Sequence, residues 1–401
     1  MRLWLYVWLI LWAPSLSALI AAEGEPPRPD RIQVRQPKML RGASIAAQRI
    51  PIGVDDDYKP SLVRMPGGEL LVVAFHQHKV EGDKVREQML LFRSGDEGRT
   101  WSAGEPLELL GREPYFTLLD DGTLLMTVHL LEQDVRNTLG YTHSYLHRST
   151  DAGRTWTTTR IAVPDLPGAP EKAWILTSRN ILESETGTLI LGVSAPGGRD
   201  FLWRSEDRGK TWDRSLKSEF EQVDKSKLWW PFHAETVLWQ AGSGDLLAIA
   251  RVDPRVFPAL PGTAIPQEVG DQVERMMLFR STDGGSRWKF EENLGTYGEM
   301  YPHILRLVDG RLLLTLTARS LHPPLGVQAV LGEQTSNGFR FDFVHDRLMI
   351  DTRTPADQPS GGGFGNTIQL PDETLITVYS YRGADQKTHL EAARWKLPAA
   401  P

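Results

Sequence analysis

The chain has 401 residues, a formal net charge of −6, 40% hydrophobic and 24% charged residues, and no cysteine. The mild acidity gives no electrostatic reason to expect nucleic acid or an anionic membrane as a partner. The absence of cysteine excludes disulfides, thiolate metal sites and cysteine nucleophiles.

In chain order, the first feature is a targeting segment. Arg2 precedes an unbroken apolar run over residues 3–12, followed by small residues at Ser15, Ser17, Ala18, Ala21 and Ala22. This pattern predicts a signal peptide over 1–22, cut after Ala21 or Ala22. The run is shorter than the ~20 residues needed to span a bilayer, so no membrane span is expected after cleavage, and the mature protein is expected to be secreted or periplasmic. Residues 23–42, rich in Pro and charge, read as an N-terminal tether. A single domain is expected over 43–399, with 43–52 as a strand that closes it.

Inside that domain two repeats recur. One is a strand, a Gly/Asp/Pro turn and a more apolar strand, beginning near Lys59, Glu113, Arg179, His233, Tyr301 and Phe364. Each instance reads as a hairpin. The other follows four of these hairpins: Ser94-Gly-Asp96-Glu-Gly98-Arg-Thr-Trp101, Ser149-Thr-Asp151-Ala-Gly153-Arg-Thr-Trp156, Ser205-Glu-Asp207-Arg-Gly209-Lys-Thr-Trp212 and Ser281-Thr-Asp283-Gly-Gly285-Ser-Arg-Trp288. An Asp that accepts nearby backbone N–H groups, a Gly for a positive φ and a Trp that buries a large surface together specify a tight turn. These Asp residues are therefore structural. No helical periodicity competes. Six hairpins predict an all-β, six-bladed β-propeller, with surface loops near 256–272 and 351–363.

In a propeller the starts of the innermost strands converge on one mouth. Aligning the hairpins on their turns places Tyr58, Lys59 and Ser61 beside Arg112, Glu113 and Tyr115, with Arg179, Asn180, His233, Glu235, Tyr301, His303, Phe364 and Asn366 in the other blades. So polar a ring predicts a glycan or oligosaccharide ligand. The His residues, including His76, His78, His143 and His147, show no zinc spacing, and neither a metal nor a cofactor is expected.

The four turns are similar to the Asp-box, or BNR, repeats of the sialidase (neuraminidase) superfamily. That resemblance implies a sialidase-like propeller, an arginine triad that grips a substrate carboxylate, a Tyr nucleophile activated by a Glu, and an acid/base Asp. Carried onto this sequence, Glu235 falls at the activating base and Arg251 at one of the arginines, through Glu235-Thr-Val-Leu-Trp and Leu-Leu-Ala-Ile-Ala-Arg251. Asp83 falls at the acid/base position. Two positions depart from the pattern. Tyr58-Lys59-Pro60 stands where an Arg-Ile-Pro is expected, and Phe364 aligns with the nucleophilic Tyr. The replacement nucleophiles are Tyr58, Tyr115, Tyr301, Tyr379 and Tyr381.

The expected function is an exo-acting glycoside hydrolase on an acidic or polyhydroxylated sugar. Its expected catalytic residues are Glu235, Asp83 and Tyr58, and its expected binding residues are Arg251, Arg179, Lys59, Tyr115, Tyr301, His303 and Asn366. A non-catalytic carbohydrate-binding propeller is the alternative, and a structural or interaction protein is a third reading.

Overall fold

The computed structural model describes residues 39–221, 229–233, 235–253, 273–357 and 363–398. The expected signal peptide, the tether up to residue 38 and the loop at 256–272 lie outside the described residues. Where the tether becomes visible it already packs on the fold: Leu40 is buried, and its N–H donates to the Pro323 carbonyl at 2.8 Å.

The architecture is an all-β propeller arrangement; among the described residues the one helical element is a single 3-10 turn, Val163–Asp165. Each predicted hairpin is present as an antiparallel pair. The first sheet runs in the order Asp57–Arg64, Leu70–Lys79, Val85–Ser94, Glu105–Pro106. The second runs Arg112–Leu118, Leu124–Leu130, His143–Ser149, Thr157–Ile161. A nine-stranded sheet follows. Its two halves are built on the hairpins Leu182–Glu183 with Leu189–Ala195 and Val237–Gln240 with Leu246–Val252, and they meet in a short parallel pairing, Glu219 with Arg287 and Phe220 with Trp288. The next sheet is built on Glu299–Arg306 and Arg311–Ala318, the last on Gly363–Gln369 and Leu375–Arg382.

Residues 43–52 divide between two sheets. Ala43–Ser44 pairs in parallel with Arg347–Met349, and Ala47–Ile52 pairs antiparallel with Thr388–Trp395. The N-terminal strand thus completes the last sheet and covers its otherwise open edge.

The second strands, such as Leu70–Lys79 and Leu124–Leu130, are apolar on both faces because both faces meet a neighbouring sheet. One apolar cluster joins Val73 and Leu91 of the first sheet to Met126 and Val128 of the second. Others join Leu125 to Leu191 and Trp203, Leu202 to Ala248 and Trp288, Leu247 to Leu314, and Leu313 to Tyr379. The ring closes where Ile376 and Val378 of the last sheet pack on Leu70 and Phe92 of the first.

The four Asp-boxes fold alike. In the second, Asp151 Oδ1 accepts the N–H groups of Arg154 and Thr155 at 3.1 and 2.8 Å, and the Ser149 hydroxyl accepts the Gly153 N–H at 2.9 Å. The hydroxyl and N–H of the Thr four residues on, Thr100, Thr155 and Thr211, pull the Asp96, Asp151 and Asp207 carboxyls down to about 2. Each box also docks on the preceding sheet. Arg93 donates to the Ala152 carbonyl (3.1 Å), Arg148 to that of Arg208 (2.9 Å) and Arg204 to that of Gly284 (2.6 Å). Arg394 of the last sheet makes the same bond to Glu97 of the first.

Candidate active site

At the end of the ring opposite the boxes, a local irregularity turns side chains toward the centre. The ladder between the first two strands slips at Tyr58/Ser61, at Arg112/Tyr115, at Met300/His303 and at Gly363/Asn366. In three of these bulges a non-glycine residue takes a left-handed conformation: Lys59 (φ 52°), Glu113 (φ 50°) and Tyr301 (φ 62°). Proline follows each one, and its missing N–H costs nothing where the ladder is already interrupted. A non-glycine residue in this region of backbone space carries strain, as do Glu97, Ala152 and Arg208 in the boxes.

Lys59, Glu113 and Tyr301 line one cleft with Arg112, His129, His233, Glu235, Arg251, Asp253, Glu274, Arg319 and the indoles of Trp174, Trp229 and Trp230. The open space is about 1040 Å³, part of it continuous with solvent.

On one side, Lys59 is ion-paired to Glu113 Oε1, which also takes Arg112 Nη2 at 3.1 Å, while Arg112 Nε lies 3.4 Å from Glu87. Burial alone would raise the Glu113 carboxyl, but Lys59 and Arg112 hold it well below the usual carboxylate range. Beside it His129 is pushed down to about 4 by burial, and its Nδ1 is buried without a hydrogen-bond partner among the described residues.

On the other side, Arg251 Nη1 donates to Glu235 Oε1 at 2.5 Å, and Arg251 Nε bonds to Glu274 Oε2. His233 braces this pair. Its Nδ1 accepts the Glu235 N–H and its Nε2–H donates to the Arg251 carbonyl, both at 3.1 Å. That arrangement needs the neutral ring, which burial also favours. Glu235 is 5% exposed, and its Oε2 has no hydrogen-bond partner among the described residues. Between the two sides the buried Tyr301 hydroxyl is bonded by Arg319 Nη1, and burial pushes the phenol far above its ordinary value.

Of the residues expected from sequence, Glu235, Arg251, Lys59 and Tyr301 come together here. Tyr58 does not line the cleft; its ring packs on Phe75 at 4.2 Å, and burial raises its hydroxyl to about 12. Asp83 is exposed in the turn between Leu70–Lys79 and Val85–Ser94 and is likewise off the cleft. Arg179 and Tyr115 stack at 4.7 Å in a small buried cavity that shares Glu113 and His129 with the cleft floor.

Asn366 and His303, expected to touch ligand, are scaffold. Asn366 accepts the Leu62 N–H at 2.8 Å and donates to the Leu62 carbonyl at 2.7 Å, fastening the last sheet to the first. His303 Nδ1 accepts the Thr367 N–H at 3.4 Å, and burial followed by Arg179 drives its pKa to about 3. The side chain of Phe364 lies outside the described residues.

Sequence reasoning missed Arg319, Glu274, Asp253, His129 and the tryptophans. Arg319 carried a usable signal, because the Ala-Arg ending its strand repeats the Ala-Arg251 ending. Glu274 and the tryptophans sit on connections between strands, outside the repeated hairpins.

With this geometry in view, the chain can be compared with known proteins. Residues 54–227 match the family model described as a BNR repeat-like domain. No curated protein matches. Among solved structures, a protein of unknown function from Dyadobacter fermentans aligns with a TM-score of 0.62 at 20% identity, covering 87% of this chain and 98% of that one. The intramolecular trans-sialidase of Ruminococcus gnavus aligns at 0.54 and 12% identity over 85% and 94% of the two chains. An alpha-L-arabinofuranosidase from Fusarium graminearum aligns at 0.54 and 13% over 88% and 98%. Residues 54–227 are thus similar to a BNR repeat-like domain, and most of the chain shares the fold of these solved structures.

Proposed function

We propose that this protein is a glycoside hydrolase that removes a terminal uncharged, polyhydroxylated sugar, with Glu235 as the carboxylate at the reacting carbon. The ring is read as six blades, the nine-stranded sheet dividing at its two-residue parallel pairing. The names of the fold relatives pair this architecture with sialic acid, a carboxylated sugar, and with arabinofuranose, an uncharged one. The fold therefore does not choose between them.

The cleft's charge balance supports the choice. Among the described residues its cations are Lys59, Arg112, Arg251 and Arg319; the first three are paired to carboxylates, Glu113 for Lys59 and Arg112 and both Glu235 and Glu274 for Arg251, while Arg319 bonds to the neutral Tyr301 hydroxyl. A guanidinium held by two carboxylates has no surplus charge for a third, and Lys59 lacks the fork that grips a carboxylate through two bonds. Hydroxyl groups, by contrast, can donate to carboxylates and accept from arginines without upsetting the balance.

Glu235 supplies the chemistry. Arg251 fixes Oε1, which leaves Oε2 to meet substrate. Glu274 bonds to the same guanidinium, which places a second carboxylate beside Glu235, and a pair of carboxylates is what most glycosidases use. In this reading Glu235 acts as nucleophile or base and Glu274 as its partner, with Arg319 and Tyr301 orienting the ring. Asp83 and Tyr58 have no part.

The test is release of nitrophenol from uncharged aryl glycosides, set against the aryl sialoside. We expect turnover only with the former. Glu235→Gln, which keeps the Arg251 contact, should lower kcat by roughly a thousandfold or more without changing the melting temperature. Preference for the sialoside, or wild-type turnover by the variant, would overturn the assignment. A second reading, a glycan-binding propeller without hydrolysis, is favoured by Phe364, which offers no hydroxyl where the resemblance expects the nucleophile. It predicts binding of the same sugars with no product.

A further inference from the structure

Trp174 stands apart from the other exposed large apolar residues. Those residues, Met39, Val54, Val80, Val135, Val308 and Val344, are aliphatic, whereas Trp174 presents an indole that is 40% exposed. It is also held in place. Its ring lies against that of Trp230 with centroids 5.7 Å apart and planes 27° from parallel, and Trp230 Nε1–H donates to the Trp174 carbonyl at 3.1 Å. The adjacent Trp229 donates its own Nε1–H to the carbonyl of Arg251, the residue that positions Glu235. Both Trp174 and Trp230 line the same cleft as Glu235 and Asp253. Leaving an indole face in water forgoes the gain from burying it, so a fixed pair at the cleft edge suits a ligand that brings its own apolar face.

We propose that the Trp174–Trp230 pair is the subsite for a second sugar ring, so that the preferred ligand is an uncharged oligosaccharide of at least two units rather than a single sugar. A sugar ring has one face of C–H bonds and an edge of hydroxyls. The stacked indoles match the face, and Asp253, which lines the same cleft, matches the edge. The subsite rests on the reading of the cleft as a site for uncharged sugar. It does not rest on hydrolysis, because stacking requires no bond to break.

The experiment is calorimetric titration of the Glu235→Gln protein with arabino-, xylo- and galacto-oligosaccharides of one to four units. The same titrations are run with Trp174→Ala and Trp174→Phe added, and turnover by the wild type is measured in parallel. For the sugar that binds, we expect affinity to rise about tenfold from one unit to two. Trp174→Ala should abolish that rise and leave the single sugar's affinity unchanged, and Trp174→Phe should restore part of it. An undiminished rise in Trp174→Ala overturns the subsite while leaving the cleft reading intact. Loss of single-sugar affinity by the same factor also overturns it, since the indole would then only support the cleft. Binding with the expected pattern but no wild-type turnover keeps the subsite and sinks the hydrolase. No binding of any oligosaccharide overturns both.

Discussion

The two ends of the ring follow opposite rules. At the Asp-box end, Ser94 pairs opposite Leu70, which pairs opposite Arg64, and every box repeats the bond from its Gly N–H to its Ser hydroxyl. At the other end, the equivalent bulge positions hold Lys59, Glu113 and Tyr301, three unlike side chains in the same left-handed backbone. The box end satisfies the backbone groups of its turns locally. The cleft end leaves a carboxylate oxygen of Glu235 and a ring nitrogen of His129 buried without hydrogen-bond partners among the described residues. Repetition marks the scaffold, and divergence within a repeated backbone marks the site. Such open groups are expensive unless a ligand completes them.

If that division holds, damage at the box end should cost stability and leave the cleft's chemistry untouched. The largest effect is expected at Trp288. Its box is alone in having a fully buried indole, which lies parallel to Phe220 at 5.5 Å and edge-on to Phe232 at 5.8 Å. Trp288→Ala should destabilise the fold by about 3–5 kcal/mol in urea unfolding. The same change at the half-buried Trp101, Trp156 or Trp212 should cost less. Equal losses at all four would mean that the boxes contribute through their turns and not through their indoles.

At the cleft end and along the interior, acid should do the damage. His129, His147 and His303 are held by burial at about 4, 4 and 3. In the unfolded chain they titrate near 6.5, so between about pH 6.5 and pH 4 the unfolded state binds more protons. Their contribution is complete above pH 6.5 and is lost as pH falls through that window. Thermal melts should fall by an amount equivalent to a few kcal/mol across it. A midpoint constant from pH 7 to pH 4 would show that the rings are already protonated in the fold.

The scaffold was legible in the sequence because turn chemistry is local. Ser94, Asp96, Gly98 and Trp101 lie within eight residues, and four copies leave little freedom of interpretation. Glu235 and Arg251 were legible through one hairpin that contains both. The rest of the cleft depends on what faces what across the ring. Nothing within a single repeat says that Lys59 of the first hairpin meets Glu113 of the second. Asn366 and His303 were misread for a related reason. A polar residue at the start of an inner strand can face the opening or the next sheet, and only the partner's position tells them apart.

Asn366 sharpens that distinction. Its amide pairs with both backbone groups of Leu62, and Asn180 makes the same pair of bonds to Leu238 across the division of the nine-stranded sheet. Asn366→Ala leaves a buried N–H and carbonyl unpaired and should cost about 1–3 kcal/mol. KM for any substrate should not change beyond the experimental error of matched folded samples. A raised KM at full stability would return Asn366 to the ligand.

The smallest effect tests how the ring is fastened. Arg148 reaches from one sheet to the Arg208 carbonyl in the next box, as Arg93 and Arg204 reach to theirs. Arg148→Met keeps much of the apolar stem and removes the donor, so it isolates the hydrogen bond, and about 1 kcal/mol should be lost. Arg93→Met and Arg148→Met act on different junctions with no shared partner, so their costs should add in the double variant. A double variant much less stable than that sum would show that strain at one junction travels round the ring to the other. The box end would then be a single closed belt rather than a row of independent fasteners.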